Sequence, residues 1–253
     1  KIGQEDTNIV ITGSGPSLDT YKDTLKKHRD KYFIISAGSS LMTLLNHGIT
    51  PNLHFELEFQ NLAAQYLNHV NESHSLKKIE LICSLESNPG MPTYFDKKHL
   101  FVQETSELMN HYNHEFILRF GGITCTNGAA AFANRVTSGN IYLIGLDYAY
   151  TNGDHHAKDN IANQENLPIE LEELEKNNEK LPSRANLKTI DVYDNEIMTT
   201  PSLNSAKVLM ESLVKRSKNK FYNCSYGAKI EGSHHLTTDE FNSKSSSINS
   251  KEQ

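Results

Sequence analysis

One stretch of ten residues, from 147 to 156, holds most of the side chains that could bind a substrate or move a proton. It contains a carboxylate, two phenols and two adjacent imidazoles: Asp147, Tyr148, Tyr150, His155 and His156. An imidazole or phenol beside a departing phosphate can donate a proton or hydrogen bonds as charge develops. In the alternative interpretation, Asp147 caps the loop and the histidines are merely exposed. A metal site is disfavoured, because adjacent histidines usually point in different directions.

A second candidate site is the glycine-containing turn GSGPS at residues 13–17. Glycine lets the backbone turn tightly and approach a ligand, and the helix that follows would present free N–H groups suited to phosphate. The spacing is not that of GxGxxG dinucleotide-binding turns, and no lysine follows as in a P-loop. The turn is therefore either a nucleotide-binding loop or an ordinary strand-to-helix connection with a good cap.

Two further features are weaker. Residues 121–124 (GGIT) open an alanine-rich helix and form a second candidate anion-binding helix start, although small residues there also permit close packing. Glu56 and Glu58 alternate along a predicted strand and face the same side, which predicts either a paired-carboxylate site or a solvated strand face. Seven other histidines lie on polar segments and are interpreted as surface residues: His28, His47, His69, His74, His99, His111 and His114.

The elements that must position these side chains alternate between strands and helices. We predict strands at 8–12, 32–36, 53–58, 78–84, 99–102, 141–144 and 221–224, and helices at 18–29, 41–46, 127–136 and 202–216. Alternation of this kind predicts an α/β, Rossmann-like fold with a mostly parallel sheet and helices on both faces. The 147–156 stretch then lies just past the carboxyl end of a buried strand, where open α/β sheets bind ligands.

The domain organisation follows from composition. Residues 1–241 are expected to form one domain, with a polar, acidic excursion at about 158–186 that is either a surface helix or a mobile lid. Residues 242–253 are rich in Ser, Lys and Asn, which predicts a disordered tail.

Charge and cysteine content exclude several classes of protein. Lys+Arg is 25 against Asp+Glu 31, a formal net charge of −6, which argues against a nucleic-acid-binding protein. No apolar run approaches the roughly 18–20 residues of a spanning helix. The three cysteines are far apart, which disfavours both a disulfide framework and a zinc site and favours a reduced, cytoplasmic protein.

Four motifs in this order resemble the central domain of the motility-associated factor (Maf) family of bacterial flagellin glycosyltransferases. They are IVITGSGPSL at 9–18, GGITCTNGAAAFA at 121–133, IYLIGLDYAYTNGDHHA at 141–157 and FYNCSYGAKIEG at 221–232. That family is similar to bacterial sialyltransferases, which use a CMP-activated nonulosonic acid on a Rossmann-like sheet without a metal.

The resemblance implies a function and a set of site residues. The activity would be transfer of a sialic-acid-like sugar, pseudaminic or legionaminic acid, from CMP to a Ser or Thr of flagellin or a similar surface protein, with neither metal nor cofactor. Asp147, Tyr148, Tyr150, His155 and His156 would be catalytic. The nucleotide would be bound by Gly13, Ser14, Gly15, Pro16, Ser17, Gly38, Ser39, Thr124, Tyr222 and Asn223.

The chain departs from the sialyltransferase pattern at two points. Ser14 stands where those enzymes commonly have Asn, and His155 or His156 falls near one expected tyrosine. These departures leave the acid that protonates the leaving group undetermined. The histidine that serves those enzymes as general base has no assigned counterpart in this sequence.

A more distant resemblance, through the same glycine turn and the GxD strand end, is to archaeal hydroxymethylpterin pyrophosphokinases, which would use ATP and magnesium. The tyrosine-rich loop and residues 222–232 favour the Maf interpretation. A non-catalytic flagellin-binding module that has kept the fold is the third alternative.

Overall fold

The computed structural model describes residues 6–150, 156–158 and 185–248. Its strands are β1 (Ile9–Thr12), β2 (Phe33–Ala37), β3 (Leu53–Glu56), β4 (Glu80–Ser84), β5 (Lys98–Gln103), β6 (Ile117–Leu118), β7 (Ile141–Ile144), β8 (Leu187–Ile190), β9 (Glu196–Thr199), β10 (Phe221–Cys224) and β11 (His234–His235). Its α-helices are α1 (Ser17–Lys27), α2 (Ser40–Asn46), α3 (Asn61–Ser73), α4 (Cys125–Val136), α5 (Pro201–Arg216) and α6 (Thr238–Ser247).

Nine of these strands form one sheet in the order β11-β10-β7-β1-β2-β3-β4-β5-β6, and every pairing in it is parallel. The chain builds the sheet outward from β1 to β6 and then returns to place β7 on the other side of β1. The α/β fold class predicted from the sequence is confirmed. In such sheets ligands bind beyond the carboxyl ends of the strands, where the strand order reverses.

The central strands are buried on both faces, as expected for parallel strands covered by helices. Ile11 and Leu143 belong to the core beneath α4 and α5, whereas Val10 and Ile144 belong to the core beneath α1 and α6. The alternating interpretation of residues 53–58 is wrong. The strand ends at Glu56 and all four of its residues are buried.

Helix α4 lies unusually close to the sheet. A Cβ on Gly128 would come within 2.7 Å of the Phe55 ring, so only glycine permits this approach. The helix packs across β1, β2 and β3, and its first residues therefore lie at the carboxyl ends of those strands.

The predicted disordered tail is wrong for residues 242–247, which form the second half of α6. A capping box between Thr237 and Glu240 starts the helix, and buried Phe241 stacks on Tyr32 with ring centroids 5.6 Å apart. The Tyr32 hydroxyl also bonds Ser245 Oγ at 2.6 Å. A polar composition is compatible with a helix here because only one narrow face is buried.

Two expectations fall where the structure gives little. The polar, acidic excursion at 158–186 lies almost wholly outside the described residues, as does the end of the chain from 249 to 253. The antiparallel hairpin β8–β9 and α3 are not among the elements predicted from the sequence. In the part of the chain that is described, no helix is long and apolar enough to cross a membrane.

Candidate functional site

A cavity of about 540 Å³ opens at the carboxyl ends of β1, β2, β3 and β7, beside the point where the strand order reverses. Eight of the residues predicted from the sequence line it: Ser14, Gly15, Gly38, Ser39, Thr124, Asp147, Tyr148 and His156. Six do not line it: Gly13, Pro16, Ser17, Tyr150, Tyr222 and Asn223. His155 lies outside the described residues.

The glycine turn is shaped by a contact with β7 rather than by an open phosphate cradle. A Cβ on Gly15 would lie 2.7 Å from the Gly145 carbonyl oxygen and closer still to a carboxylate oxygen of Asp147. The Gly15 N–H donates to that same carbonyl at 2.9 Å. Glycine is therefore required for the turn to meet the end of β7.

The Asp147 carboxylate occupies the start of α1. Its Oδ2 accepts the backbone N–H of Ser17 at 3.2 Å, and its Oδ1 accepts the Ser17 hydroxyl. The next two N–H groups of the helix, those of Leu18 and Asp19, bond carbonyls of the turn. The expectation that α1 offers free N–H groups to phosphate is therefore wrong: a carboxylate of the protein has taken that position.

Asp147 is 2% exposed, and burial raises its pKa to about 6 against the opposing effect of the Ser17 donors. Desolvation disfavours the charged carboxylate, and the neutral donors around it, from Ser17 and the Gly227 N–H, do not fully compensate. Asp147 therefore lines the cavity, as predicted. Its carboxylate also has a structural role, because it caps the start of α1.

The motif at 221–232 encloses Asp147. The Tyr226 N–H donates to Ser17 Oγ at 2.7 Å, and the Ala228 N–H donates to the Asp147 carbonyl at 2.7 Å. A Cβ on Gly227 would lie 2.6 Å from the Asp147 Cα, which explains the glycine. This segment fixes the end of β7 from the side away from the cavity.

Tyr222 and Asn223, which the resemblance assigned to the nucleotide, point elsewhere. Tyr222 stacks on Tyr142 with ring centroids 4.9 Å apart, and Lys244 Nζ lies 4.5 Å from its ring centre. Asn223 is 1% exposed, and its side-chain amide has no hydrogen-bond partner among the described residues. Both side chains belong to the packing around β10.

Tyr148 combines strain, burial and an unused hydroxyl. Its φ of 50° lies in the left-handed region, which costs a non-glycine residue on the order of 1 kcal/mol or more. The Thr199 hydroxyl donates to its carbonyl at 2.7 Å. Burial raises the pKa of the phenol against a smaller opposing effect of the Thr126 side chain, and no described residue lies within 3.5 Å of its hydroxyl in hydrogen-bonding geometry. The Tyr148 side chain therefore forms part of the cavity wall with its hydroxyl buried.

Tyr150 is not part of this wall. Its backbone N–H donates to the Met198 carbonyl at 2.9 Å, which joins it to β9 outside the cavity lining.

The start of α4 forms the roof of the cavity. Thr124 caps the helix by accepting the Asn127 N–H at 3.2 Å, which leaves the N–H groups of Cys125 and Thr126 without an acceptor in the described parts of the chain. Thr124, Cys125 and Thr126 all line the cavity. The second candidate anion-binding helix start is therefore placed where a ligand could use it.

Glu56, which the sequence left between a paired-carboxylate site and a solvated strand face, belongs to the site. It is 2% exposed at the end of β3 and lines the cavity. Its Oε1 accepts the N–H groups of Leu57 (2.8 Å) and Glu58 (3.1 Å) and the Cys125 thiol (3.0 Å). Burial acts to raise its pKa, but His54, Cys125 and the Glu58 N–H outweigh burial and hold the pKa below its ordinary 4.5.

The predicted Glu56–Glu58 pair does line one cavity, although in unequal environments. Glu58 is exposed, and partial burial together with the charge of Glu56 raises its pKa. The sequence signal that could have identified Glu56 is a charged residue at the end of a short strand whose other residues are buried.

The described cavity wall is acidic. It contains the carboxylates of Glu56, Glu58 and Asp147 and no Lys or Arg. Nowhere in residues 6–150, 156–158 and 185–248 do three or more His, Cys, Asp or Glu side chains form a group that could hold a metal ion.

The model of one protein family, described as 6-hydroxymethylpterin diphosphokinase MptE-like, matches residues 1–153, which is more than half of the chain. The chain belongs to this MptE-like family. The matched segment carries β1 to β7, and hence the glycine turn, Glu56, the start of α4 and Asp147. No curated protein matches the chain.

Among solved structures, this MptE-like chain is similar to the MAf glycosyltransferase from Magnetospirillum magneticum AMB-1. The match has a TM-score of 0.75 and 21% sequence identity, and it covers 98% of this chain. At that identity it shows a shared fold. The chain spans only 37% of the length of the Magnetospirillum protein. The pterin resemblance seen in the sequence is thus confirmed as a family relationship, and the Maf resemblance is matched by a shared fold.

Proposed function

We propose that this chain is a glycosyltransferase domain. It would move a pseudaminic- or legionaminic-acid-type sugar from a CMP donor to a Ser or Thr hydroxyl of flagellin or a similar surface protein. The observation that carries the proposal is the cavity at the reversal of strand order, which is lined by the α4 start, Tyr148 and His156. The fold shared with a Maf glycosyltransferase over 98% of the chain supports it.

The electrostatics of the cavity favour a donor of low charge. A CMP-nonulosonic acid carries two negative charges, one on the phosphodiester and one on the sugar carboxylate. The N–H groups of Cys125 and Thr126 at a helix start are suited to bind one such group. ATP carries about four charges, and the described wall supplies no cationic side chain to neutralise them.

The chemistry follows from these positions. The acceptor oxygen forms a bond to the anomeric carbon as the bond from that carbon to the phosphate oxygen breaks. The electron pair leaves with CMP, and the acceptor proton passes to a base. Tyr148 and the α4 start would stabilise the charge that grows on the departing phosphate, while the rest of the cavity positions both reactants.

The test of nucleotide class is calorimetric titration with CMP in the presence of EDTA and, separately, with ATP plus magnesium. Binding of CMP that survives EDTA is expected. Binding of ATP alone, and only with magnesium, would contradict the transferase proposal.

Tyr148→Phe tests the catalytic assignment. Removing a hydroxyl that has no partner should leave the melting temperature unchanged or slightly raised. The rate of sugar transfer should fall about 10- to 100-fold, because the departing phosphate loses one hydrogen-bond donor. Tyr193→Phe is the matched control, since Tyr193 is 55% exposed and outside the cavity. Undiminished transfer by Tyr148→Phe would refute the role given to Tyr148.

Membership of the MptE-like family supports one alternative, a pyrophosphokinase that transfers diphosphate from ATP to a hydroxymethyl group. Magnesium is commonly held by one or two carboxylates together with substrate phosphates, and Glu56 and Glu58 are the two neighbouring carboxylates of the wall. This alternative predicts that Glu58→Gln abolishes magnesium-dependent ATP binding, whereas the transferase proposal predicts that CMP binding survives the change.

A further inference from the structure

The carboxylate of Glu56 has one oxygen engaged and one open. Oε1 already accepts three donors, which are two backbone N–H groups and the Cys125 thiol. Among the described residues, the only polar contact of Oε2 is with His54 Nε2 at 3.7 Å, an ion-pair distance at which His54 lowers the pKa of Glu56 but which is longer than a hydrogen bond. A carboxylate offers about four lone-pair positions, so Oε2 retains acceptor capacity at the cavity wall.

The open oxygen restricts the groups that can lie against it. The Glu56 carboxylate is charged at neutral pH, because its pKa lies below 4.5. An anionic phosphate or sugar carboxylate would be repelled there, whereas a hydrogen-bond donor would be favoured. A planar pair of N–H groups, such as an amidine edge, needs both carboxylate oxygens, and Oε1 is already saturated. A hydroxyl group needs only one.

Cys125 links this carboxylate to the anion end of the cavity. Its thiol bonds Glu56 Oε1 at 3.0 Å, while its backbone N–H belongs to the first turn of α4. A ligand bound here therefore meets a hydroxyl acceptor next to a phosphate-binding helix start. In a nucleoside 5′-phosphate, the ribose hydroxyls and the phosphate are separated by only a few bonds.

We propose that Glu56 Oε2 accepts a ribose hydroxyl of the bound nucleotide, which makes the end of β3 the ribose subsite of the cavity. This assignment rests on the proposed nucleotide-binding function. It applies to either nucleotide, since CMP and ATP both carry the 2′- and 3′-hydroxyls.

The test combines a protein change with a ligand change, using CMP, 2′-deoxy-CMP and 3′-deoxy-CMP as probes. Wild-type protein should bind CMP about tenfold or more tightly than one of the two deoxy analogues, as expected for a hydrogen bond to a charged group. In Glu56→Gln that preference should fall to about threefold or less, because a neutral acceptor is weaker. Glu86→Gln should keep the wild-type preference, because Glu86 is exposed and outside the cavity.

The ratio separates a binding role from a structural one. If Glu56 only supported the cavity, Glu56→Gln would weaken CMP and its deoxy analogues equally, and the unchanged ratio would overturn the proposal. If wild-type protein showed no preference for CMP over either analogue, Glu56 would face the transferred sugar or a metal, and the proposal would also fall. Should Glu56→Gln not fold, Glu56→Asp keeps the charge beside His54 and retracts the oxygens, so its ratio should fall as well.

Failure of the proposed function gives a different result. If the wild type binds ATP with magnesium and not CMP, the transferase proposal fails, and the same ratios measured with ATP and its 2′- and 3′-deoxy analogues decide the role of Glu56. If it binds neither nucleotide, both proposals are overturned.

Discussion

Asp147 and Glu56 are two buried carboxylates on opposite sides of one cavity, and their pKa values are shifted in opposite directions. Each is 2% exposed. Burial raises the pKa of Asp147 to about 6, whereas the pKa of Glu56 lies below its ordinary value of 4.5. The hydrogen bonds to the Asp147 carboxylate come from neutral groups, the Ser17 hydroxyl and N–H and the Gly227 N–H, whereas Glu56 receives three donors and also lies beside His54. The donor set, more than the depth of burial, decides whether a buried carboxylate stays charged.

The two carboxylates therefore differ in role: Asp147 connects α1 to the end of β7, whereas Glu56 can bind a ligand. Both oxygens of Asp147 are used to hold the start of α1 against β7. Glu56 has one oxygen held and one open to the cavity. Substitutions at the Asp147 end should therefore act mainly on stability, and those at the Glu56 end on both stability and ligand binding.

Gly15→Ala should have the largest effect, because it forces apart the contact that defines the Asp147 end. The new Cβ would lie 2.7 Å from the carbonyl oxygen of Gly145, and this contact is with backbone, which cannot move aside as a flexible side chain would. The free energy of unfolding should fall by about 3 kcal/mol or more, the upper part of the range for overpacking. Gly122→Ala is the control, since its Cβ would meet no atom within 4 Å. Equal losses of unfolding free energy in the two variants, measured by urea unfolding, would show that Gly15 and Gly145 are not in close contact.

Asp147→Asn tests the raised pKa. Since the folded-state pKa lies above the ordinary 3.8, the contribution of Asp147 to stability is fully present below that value and is lost as the pH rises through about 6. The stability of the wild type relative to Asp147→Asn should therefore fall between about pH 4 and pH 7, by on the order of 3 kcal/mol. A difference between the two unfolding curves that does not change with pH would contradict the raised pKa.

Glu56→Gln should show the opposite pH dependence. The pKa of Glu56 is lowered, so its contribution is present above the ordinary 4.5 and is lost as the pH falls below it. The variant should be less stable than wild type by about 2 kcal/mol near neutral pH, and the gap should close in acid. Glu86→Gln, which removes an exposed charge, should show neither effect in the same thermal or urea titration. A gap that widened in acid would refute the lowered pKa.

The smallest effect is expected at Cys125. Cys125→Ala removes one donor to Glu56 and should cost about 1 kcal/mol, whereas Cys125→Ser keeps a donor and should cost less. Glu56 also helps to raise the pKa of this thiol, after burial, so the thiol should react slowly with iodoacetamide and faster in Glu56→Gln. A thiol equally reactive in both proteins would show that Glu56 is not charged.

Much of the central sheet could be read from the sequence because its strands are short apolar runs bounded by glycine turns. The predicted strands at 8–12, 141–144 and 221–224 agree with β1, β7 and β10 to within one residue. Edge elements gave no comparable signal. β6 and β11 have two residues each, and α6 is a polar segment whose helix depends on burying Phe241.

The site was only partly readable for a related reason. Gly15 and Asp147 stand out because turn and strand-end patterns mark them locally. Glu56 was read as part of an alternating strand, and nothing near it in sequence reveals the Cys125 thiol 69 positions away that bonds to it. Tyr222 and Asn223 were assigned to the nucleotide by resemblance, but the packing of β10 against α6 directs Tyr222 away from the cavity.

The sequence by itself determined the fold class, the order of the central strands along the chain and the turn at which a ligand site opens, because these depend on local periodicity and on glycine. Only the tertiary structure decided which charges meet there. It filled the start of α1 with Asp147 and left the start of α4 open beside Glu56. Hydrogen-bond partners and desolvation depend on residues distant in the chain, and those contacts exist only once the sheet and helices have packed.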